Sequence, residues 1–311
     1  MTAAPHPRAP TRPTLRARFG RAVPYLLLAP GVLWLFIFYV IPAVQMFTYS
    51  ISTGTLETGY TMTLNADAYA TAIDRFGKQF LNSILYGGLA TILTLAIGFP
   101  VAYTIAFRGG RYKNLILFLV IAPFFTSFLI RTISWKILLG DEGPLLAPLR
   151  HGLGLIDANV WLIGHQGIID GRFTLVNTPI AQVAGLTYNF LPFMILPLYV
   201  ALEKIDIRLI EAAEDLYANR AAAFRRITLP LALPGVFAGS LLTFIPSMGD
   251  YINAELLGNP GTRMIGNVIQ NRLLVQNDYP VGSALSFMLM AGILVAVAVY
   301  ARLLGTEQLT G

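Results

Sequence analysis

Six apolar stretches of about 25 residues recur along this 311-residue chain: Val23–Thr48, Phe80–Phe107, Leu115–Leu139, Thr178–Leu202, Leu231–Leu257 and Val281–Leu304. A helix needs about 20 residues to cross the hydrocarbon core of a bilayer, so each stretch is long enough to span with length left for tilt. In lipid every backbone N–H and C=O must be satisfied within the segment, which makes the α-helix the form such runs take. Few soluble folds compete: the chain is 55% hydrophobic and 12% charged, against roughly 25% charged in soluble domains. The expected fold class is an all-α polytopic membrane protein with six transmembrane helices in residues 23–311. Residues 1–22, with Pro5, Pro7, Pro10 and Pro13 among arginines, are expected to form a disordered basic tail.

A net charge of +6 would suggest nucleic acid as a partner of a soluble protein. Here the basic residues follow the loops instead, so the expected partner is the lipid bilayer and no nucleic acid. Arg8, Arg12, Arg16, Arg18 and Arg21 precede the first span, and Arg108, Arg111 and Lys113 fill the second connection. The first connection carries Glu57, Asp67 and Asp74 against Arg75 and Lys78. Lys and Arg mark cytoplasmic loops, which puts the N-terminus, the loop before Leu115 and the loop after Leu202 in the cytoplasm, and an even number of spans returns the C-terminus there as well. The Arg-rich start resembles a signal peptide, but its apolar run is too long for one and reads as an uncleaved first helix. Without cysteine, disulfides and thiolate metal sites are excluded.

Pro30, Pro42, Pro100 and Pro123 fall inside spans, where they predict kinks rather than breaks. The mixed segment Gly140–Asn177 is expected outside, with an interfacial helix near Leu145–Leu155. Gly235 and Gly239 stand four apart in the fifth span, a spacing that lets helices approach closely, within the subunit or against a partner.

The polar block between the fourth and fifth spans, Glu211 to Pro230, reads EAAEDLYANRAAAFRRITLP. Asp206 is placed to cap a helix through Ile207–Leu216, and Asn219 a second through Arg220–Ile227. Two short helices at the membrane surface, the second presenting Ala222, Ala223 and Phe224 with Arg225 and Arg226, suit a groove on a partner protein. An ordinary cytoplasmic linker rich in Ala and charge is the plain alternative. The block resembles the E-A-A-x3-G-x9-I-x-L-P loop of binding-protein-dependent ABC importer permeases: Glu211, Ala212, Ala213, Ile227, Leu229 and Pro230 match it, and Tyr217 stands where that family has glycine. The resemblance implies a type I permease fold in a bacterial cytoplasmic (inner) membrane. It makes residues 203–230 the ATPase-coupling loop, with Glu211, Ala212, Ala213, Tyr217, Asn219, Phe224, Ile227, Leu229 and Pro230 as its site residues. A left-handed turn at Tyr217 would cost about 1 kcal/mol or more, so either Asn219 takes that conformation or the turn is rebuilt.

The chain itself is not expected to hydrolyse ATP or to be an enzyme. Gly261 to Gly266 has phosphate-loop spacing, but Asn267 and Val268 follow in place of Lys and Ser/Thr, and Gly152-Leu-Gly154 lacks a third glycine. His6, His151 and His165 are scattered without metal-ligand spacing, and no Gly-x-Ser-x-Gly elbow occurs. The resemblance implies no cofactor bound by this chain, with ATP and Mg used by a partner ATPase.

Ionisable residues inside spans are costly and usually face a partner or a cavity. Arg131 and Lys136 lie in the third span, and Asp250 and Glu255 in the outer part of the fifth. One reading is structural: snorkelling ends, or an Arg131–Asp250 ion pair. The other is a substrate path of Asp250, Tyr251, Glu255 and Arg131, in which carboxylates and an aromatic face would suit a polyamine. Five positions is roughly 140° around an ideal helix, so Asp250 and Glu255 share no face unless the helix unwinds, and the deeper Asp250 is the preferred candidate.

The stretches PFFTSFLIRTISWKILL (from Pro123), YNFLPFMILPLYVALEKID (from Tyr188), FIPSMGDYINAELLG (from Phe244) and MIGNVIQNRL (from Met264) resemble the polyamine branch, the first permease of spermidine/putrescine importers. This implies a second homologous permease, two copies of an ABC ATPase and an extracytoplasmic substrate-binding protein as partners. Another cargo of the same machine, such as an aminophosphonate, ferric ion or thiamine, is the alternative. An ion-coupled secondary transporter would show inverted repeats with interrupted helices, and none is evident.

Overall fold

The computed structural model describes residues 15–140, 143–144, 168–169, 172–173 and 175–304. Residues 1–14 of the expected tail, the expected interfacial helix near Leu145–Leu155, the Gly152-Leu-Gly154 stretch, and His6, His151 and His165 lie outside the described residues.

The first span is one long helix: α1 (Leu15–Leu35), a widened π turn over Phe36–Val40, and α2 (Ile41–Ser50). It begins at Leu15, inside the segment expected to be a tail. The widened turn precedes Pro42, and Ile41 N–H reaches back five residues to the Phe36 carbonyl. Proline lacks an N–H and crowds the carbonyl four residues before it, and the wider turn relieves both effects. A hairpin follows, β1 (Ser52–Thr55) against β2 (Gly59–Met62), with Ser52 opposite Met62. Nothing in the hydropathy pattern predicts it. Its turn uses Gly59 at φ +77°.

α3 (Asp67–Arg108) runs for 42 residues, about 63 Å at 1.5 Å per residue, so it starts well before the expected Phe80 and overhangs the membrane. It packs with α6 (Pro179–Glu203) and α9 (Leu229–Met248) around buried Ala102, Ile105, Met194, Leu198, Ala232 and Val236. A Cβ on Gly235 would stand 2.6 Å from that of Ala201, and one on Gly239 2.8 Å from Sδ of Met194. The Gly235/Gly239 pair therefore serves contact with α6 inside the subunit.

Two expected spans are interrupted. The third comprises α4 (Lys113–Ile121), a 3₁₀ turn over Ala122–Phe125, and α5 (Phe128–Leu138), with a bend of 93° between residues 110–125 and 128–138. Pro123 produces a break here, not a kink. Thr126 is extended at ψ 151°, and its hydroxyl donates to the Pro123 carbonyl at 2.7 Å, closing the turn instead of continuing the helix. The fifth span ends at Met248, not Leu257. Gly249 and Asp250 leave the helix, a short α10 (Ile252–Leu257) follows, and α11 (Ile265–Gln270) presses back so closely that a Cβ on Gly266 would collide with the Gly249 carbonyl.

Among the described residues five helices are long and apolar enough to cross a membrane, and six if the bent pair counts as one span. The bent pair does run from one end of the molecule to the other. Lys113 ion-pairs with Glu203 at one end, while Leu139 is buried with Val176, Ala181 and Leu257 at the other. The last span, α12 (Tyr279–Leu304), receives α2 through an edge-on contact of Phe47 with Phe287 at 5.5 Å. From Tyr25 to Phe38 the side chains of the first span are exposed, as lipid-facing residues are.

Candidate functional site

At the Lys113–Glu203 end, the loop resembling the ATPase-coupling segment forms α7 (Ile207–Asp215) and α8 (Arg220–Ala223). Asp206 caps α7 by accepting from Arg208 N–H at 3.0 Å, and the Arg208 side chain, donating to the same carboxylate, holds Asp206 below the usual carboxylate range. Asn219 caps α8 by accepting from Ala222 N–H at 2.8 Å. Both caps fall where short polar side chains offer acceptors to free helix N–H groups.

The turn between them differs from expectation. Tyr217 itself is left-handed, at φ +63°, while Asn219 is extended at φ −72° and ψ 160°. Ala218 N–H reaches the Ala213 carbonyl at 2.9 Å and Tyr217 N–H the Glu214 carbonyl at 3.0 Å. This is the paired closure of a helix end that usually places glycine where Tyr217 stands. The ring of Tyr217 is 98% exposed, beside Leu216 at 82%.

The second helix is not a separate short one. α8 passes through a widened turn, Phe224–Thr228, directly into α9, giving one helix from Arg220 to Met248. Pro230 explains the wide turn, as Pro42 does in the first span. Leu229 and Pro230 thus form the first turn of α9, Ile227 is half-buried in the wide turn, and Thr228 is buried. Phe224 does not project outward as expected. Its ring meets Phe99 edge-on at 5.5 Å and Tyr103 at 6.4 Å, with Ala223 buried beside it. Exposed on this segment are Glu211, Ala212, Glu214 to Tyr217, Asn219 to Ala221, Arg225 and Arg226, with Ala213 half-buried. Lys113, over the Tyr199 ring at 5.1 Å, ties the α3–α4 connection to the root of this segment through Glu203; no sequence motif marks this pair.

At the opposite end the four substrate-path candidates separate. Tyr251 and Glu255 line an open cavity of about 500 Å³ together with Gln79, Asn267, Arg263 and Phe76. Asn267 orients the carboxylate: its Nδ2 donates to Glu255 Oε2 at 3.1 Å and to the Tyr251 carbonyl at 3.0 Å. Asp250 turns away into the protein, 9% exposed. Its Oδ1 accepts from Asn253 N–H at 2.7 Å and its Oδ2 from Asn253 Nδ2 at 3.2 Å. Asn189 then joins Asn253 Oδ1 to Thr132 Oγ1, both at 3.1 Å, linking α10, α6 and α5 through buried polar contacts. Arg131 makes no ion pair with Asp250; the ion pairs among the described residues are Lys113–Glu203, Arg208–Asp206 and Arg272–Asp278. Its guanidinium lies over Phe124 at 4.7 Å and Phe128 at 5.7 Å, where the ring faces attract the cation. The expected helical separation of Asp250 and Glu255 does not apply, because the helix stops at Met248, before both, and Glu255 sits on the separate α10. Lys136 is exposed. Asn189, Asn253 and Gln79 were not singled out from sequence, and Asn267 only as a departure from the phosphate-loop pattern; of the four, Asn189 alone is marked, as a carboxamide within an otherwise apolar run.

No group of three or more His, Asp or Glu side chains is placed to hold a metal among the described residues. The Gly261–Gly266 stretch forms a 3₁₀ turn at Pro260–Thr262 and the start of α11, not a strand–loop–helix phosphate cradle.

Comparison with known proteins agrees with this architecture. The family described as binding-protein-dependent transport system inner membrane component matches residues 95–304. The spermidine/putrescine transport system permease protein PotB of Haemophilus influenzae is 38% identical over 270 residues, covering 86% of this chain and 90% of that protein. Its Escherichia coli K12 namesake is 35% identical, covering 86% and 93%. The inner membrane ABC transporter permease protein YdcU of Escherichia coli K12 is 32% identical over 70% of this chain and 68% of that protein. A chain of a bacterial alginate ABC transporter, crystallised with an alginate pentasaccharide-bound periplasmic protein, shares the fold at TM-score 0.73 and 18% identity, over 96% of this chain and 99% of that one. With its fold and its relatives in agreement over most of its length, the chain belongs to the binding-protein-dependent transport system inner membrane components, the permeases of ABC importers.

Proposed function

We propose that this chain is one of two permease subunits of an ATP-driven importer of polyamines such as spermidine and putrescine. A second homologous permease completes the pore. Two copies of an ABC ATPase, which alone uses ATP and Mg, dock on the exposed face of α7 and the α8 end, and an extracytoplasmic binding protein delivers cargo at the Tyr251–Glu255 end. Both termini and the Glu203–Pro230 segment then lie in the cytoplasm of a cell with a bacterial inner membrane. The observation that carries this reading is the unbroken helix from Arg220 to Met248. One end carries the coupling segment, and the other stops beside Asp250 and the Tyr251–Glu255 cavity. A rigid helix transmits movement of the ATPase to the cavity as displacement, without new contacts having to form. The cargo follows from the spermidine/putrescine names of the relatives and from a cavity wall that offers a carboxylate and aromatic rings to ammonium groups.

The test is purification of the chain with its neighbouring permease and ATPase, reconstitution in vesicles, and uptake of radiolabelled spermidine with the binding protein supplied outside. ATP-dependent uptake is expected. Failure of any ATPase to copurify, or uptake driven by an ion gradient without ATP, overturns the reading. Orientation is read with single cysteines, since the chain has none: Thr58→Cys reacts with an impermeant thiol reagent in intact cells, and Arg220→Cys only after permeabilisation.

A further inference from the structure

The wall of the cavity beside Tyr251 and Glu255 carries an acceptor that no donor among the described residues uses. Gln79, on α3, lines it, yet its Oε1 is shut off from solvent with no hydrogen-bond partner. Leaving a buried carbonyl without a donor costs about 1–3 kcal/mol. The terminal torsion of a glutamine is broad and soft, so an N–H donor arriving in the cavity can draw this oxygen round and relieve that cost. On the α10 wall, Glu255 has one oxygen engaged by Asn267 and the other open. The cavity wall thus carries two separate acceptors, Glu255 charged and open and Gln79 neutral and reached by rotation of its amide, with the apolar side chains of Phe76 and Leu129 also in the wall.

The cations on the same wall do not occupy these acceptors. Arg272 is held by Asp278 at 2.9 Å and lies over the Phe76 ring at 5.2 Å. Arg263 forms no ion pair among the described residues, and its positive charge opposes that of a cationic ligand. A site on a transport path must bind well enough to admit its cargo and weakly enough to release it. One free carboxylate opposed by one guanidinium, with a neutral acceptor added, provides that balance.

We propose that Gln79 is a specificity-determining residue of this cavity: it receives a second nitrogen of an alkylammonium whose first is held by Glu255, so the site selects chains with at least two amino groups. This rests on the reading of the chain as a polyamine permease.

The test uses the whole complex and the natural absence of cysteine. Gln270→Cys places a thiol on the cavity wall, and the concentration of spermidine giving half-protection from a thiol reagent is measured. Adding Gln79→Leu, which keeps the bulk and removes the acceptor, should raise that concentration about tenfold, the worth of one hydrogen bond to a charged donor. Gln79→Glu should restore or lower it, which a merely structural role for the side chain does not predict. Butylamine, with one nitrogen, should protect equally well with Gln or Leu at this position. An unchanged half-protection concentration in Gln79→Leu, or an increase in Gln79→Glu, overturns the proposal. If Gln79→Leu fails to assemble, Gln79→Glu alone decides by the same criterion. Absence of both protection and uptake with Gln79 intact removes the cargo reading as well, and is distinct from protection that ignores the Gln79 substitutions.

Discussion

Phe224 and Phe99 meet edge to face with centroids 5.5 Å apart, which fastens the N-terminal end of the Arg220–Met248 helix, the proposed lever, to α3. Edge-to-face pairs add about 0.5–1.5 kcal/mol beyond their buried area. Because Phe224 faces inward, its removal should loosen the lever instead of removing a docking contact. Phe224→Ala is expected to destabilise the permease by about 1–3 kcal/mol, below the full core value because the ring is half-buried. The ATPase should still copurify, but hydrolysis should proceed with little uptake. Loss of ATPase from the purified complex at unchanged thermal stability would instead place the ring in the docking surface.

Glu211 has the opposite character. It is exposed on α7 beside exposed Ala212, and its side chain makes no hydrogen bond or ion pair among the described residues, so its substitution removes no contact seen there. Glu211→Ala should leave thermal unfolding of the isolated permease within about 0.5 kcal/mol of the parent. ATP-driven uptake should fall severely because the ATPase detaches or no longer couples. Normal uptake by this variant rules Glu211 out of the interface.

Tyr217 holds a left-handed backbone that costs a non-glycine residue about 1–2 kcal/mol. Glycine removes that strain, and its greater freedom in the unfolded chain returns about 0.5–1 kcal/mol of the gain. Tyr217→Gly should therefore stabilise the isolated permease by up to about 1 kcal/mol, read as a raised midpoint of thermal unfolding. Tyr217→Val, with a branched Cβ in the same conformation, should lower it. With the ring 98% exposed, reduced ATPase binding in the glycine variant would show that Tyr217 is retained for its contact with the partner.

These positions also show what a sequence conveys about such a chain. Asp206 and Asn219 cap the helices expected of them because capping is local: one short polar side chain, two or three residues before the N–H it satisfies. The spans were legible for a similar reason, since hydropathy summed over about 20 residues tolerates local error. The same summation hides interruptions. Thr126 and Ser127 sit in a run apolar enough to pass as helix, and the turn is closed by the Thr126 N–H and hydroxyl, which both donate to the Pro123 carbonyl. Asp250 looked like a charge stranded within a helix, yet it leaves the helix and binds Asn253. The inward turn of Phe224 depends on Phe99, 125 positions away (224 − 99), and no local pattern encodes that contact.

Asp250 accordingly should behave as a structural residue. Asp250→Ala removes the acceptors for Asn253 N–H and Nδ2 and should cost about 1–3 kcal/mol through the donors left unpaired. Asp250→Asn retains an acceptor for the backbone N–H and should cost less. In the Asn variant the spermidine concentration at half-maximal uptake should match the parent. A rise in that concentration with unchanged stability would return Asp250 to the cargo path.

Glu255 and Arg263 test the electrostatics of the cavity with opposite signs. Glu255 is its open carboxylate, and Arg263 contributes an opposing cation to the same wall. Glu255→Gln keeps the shape and the hydrogen bond from Asn267 but removes the charge, so spermidine should need about tenfold higher concentration for half-protection of the Gln270→Cys thiol. Arg263→Gln removes repulsion and should lower that concentration. If binding becomes tighter than release requires, maximal uptake should fall at the same time. Both shifts should shrink between low salt and about 0.5 M salt, because the cavity is open and its charges are screened. Shifts of the same sign in both variants would mean that the two side chains shape the cavity and do not act by charge; shifts indifferent to salt would place the interaction in a dry interior instead of an open mouth.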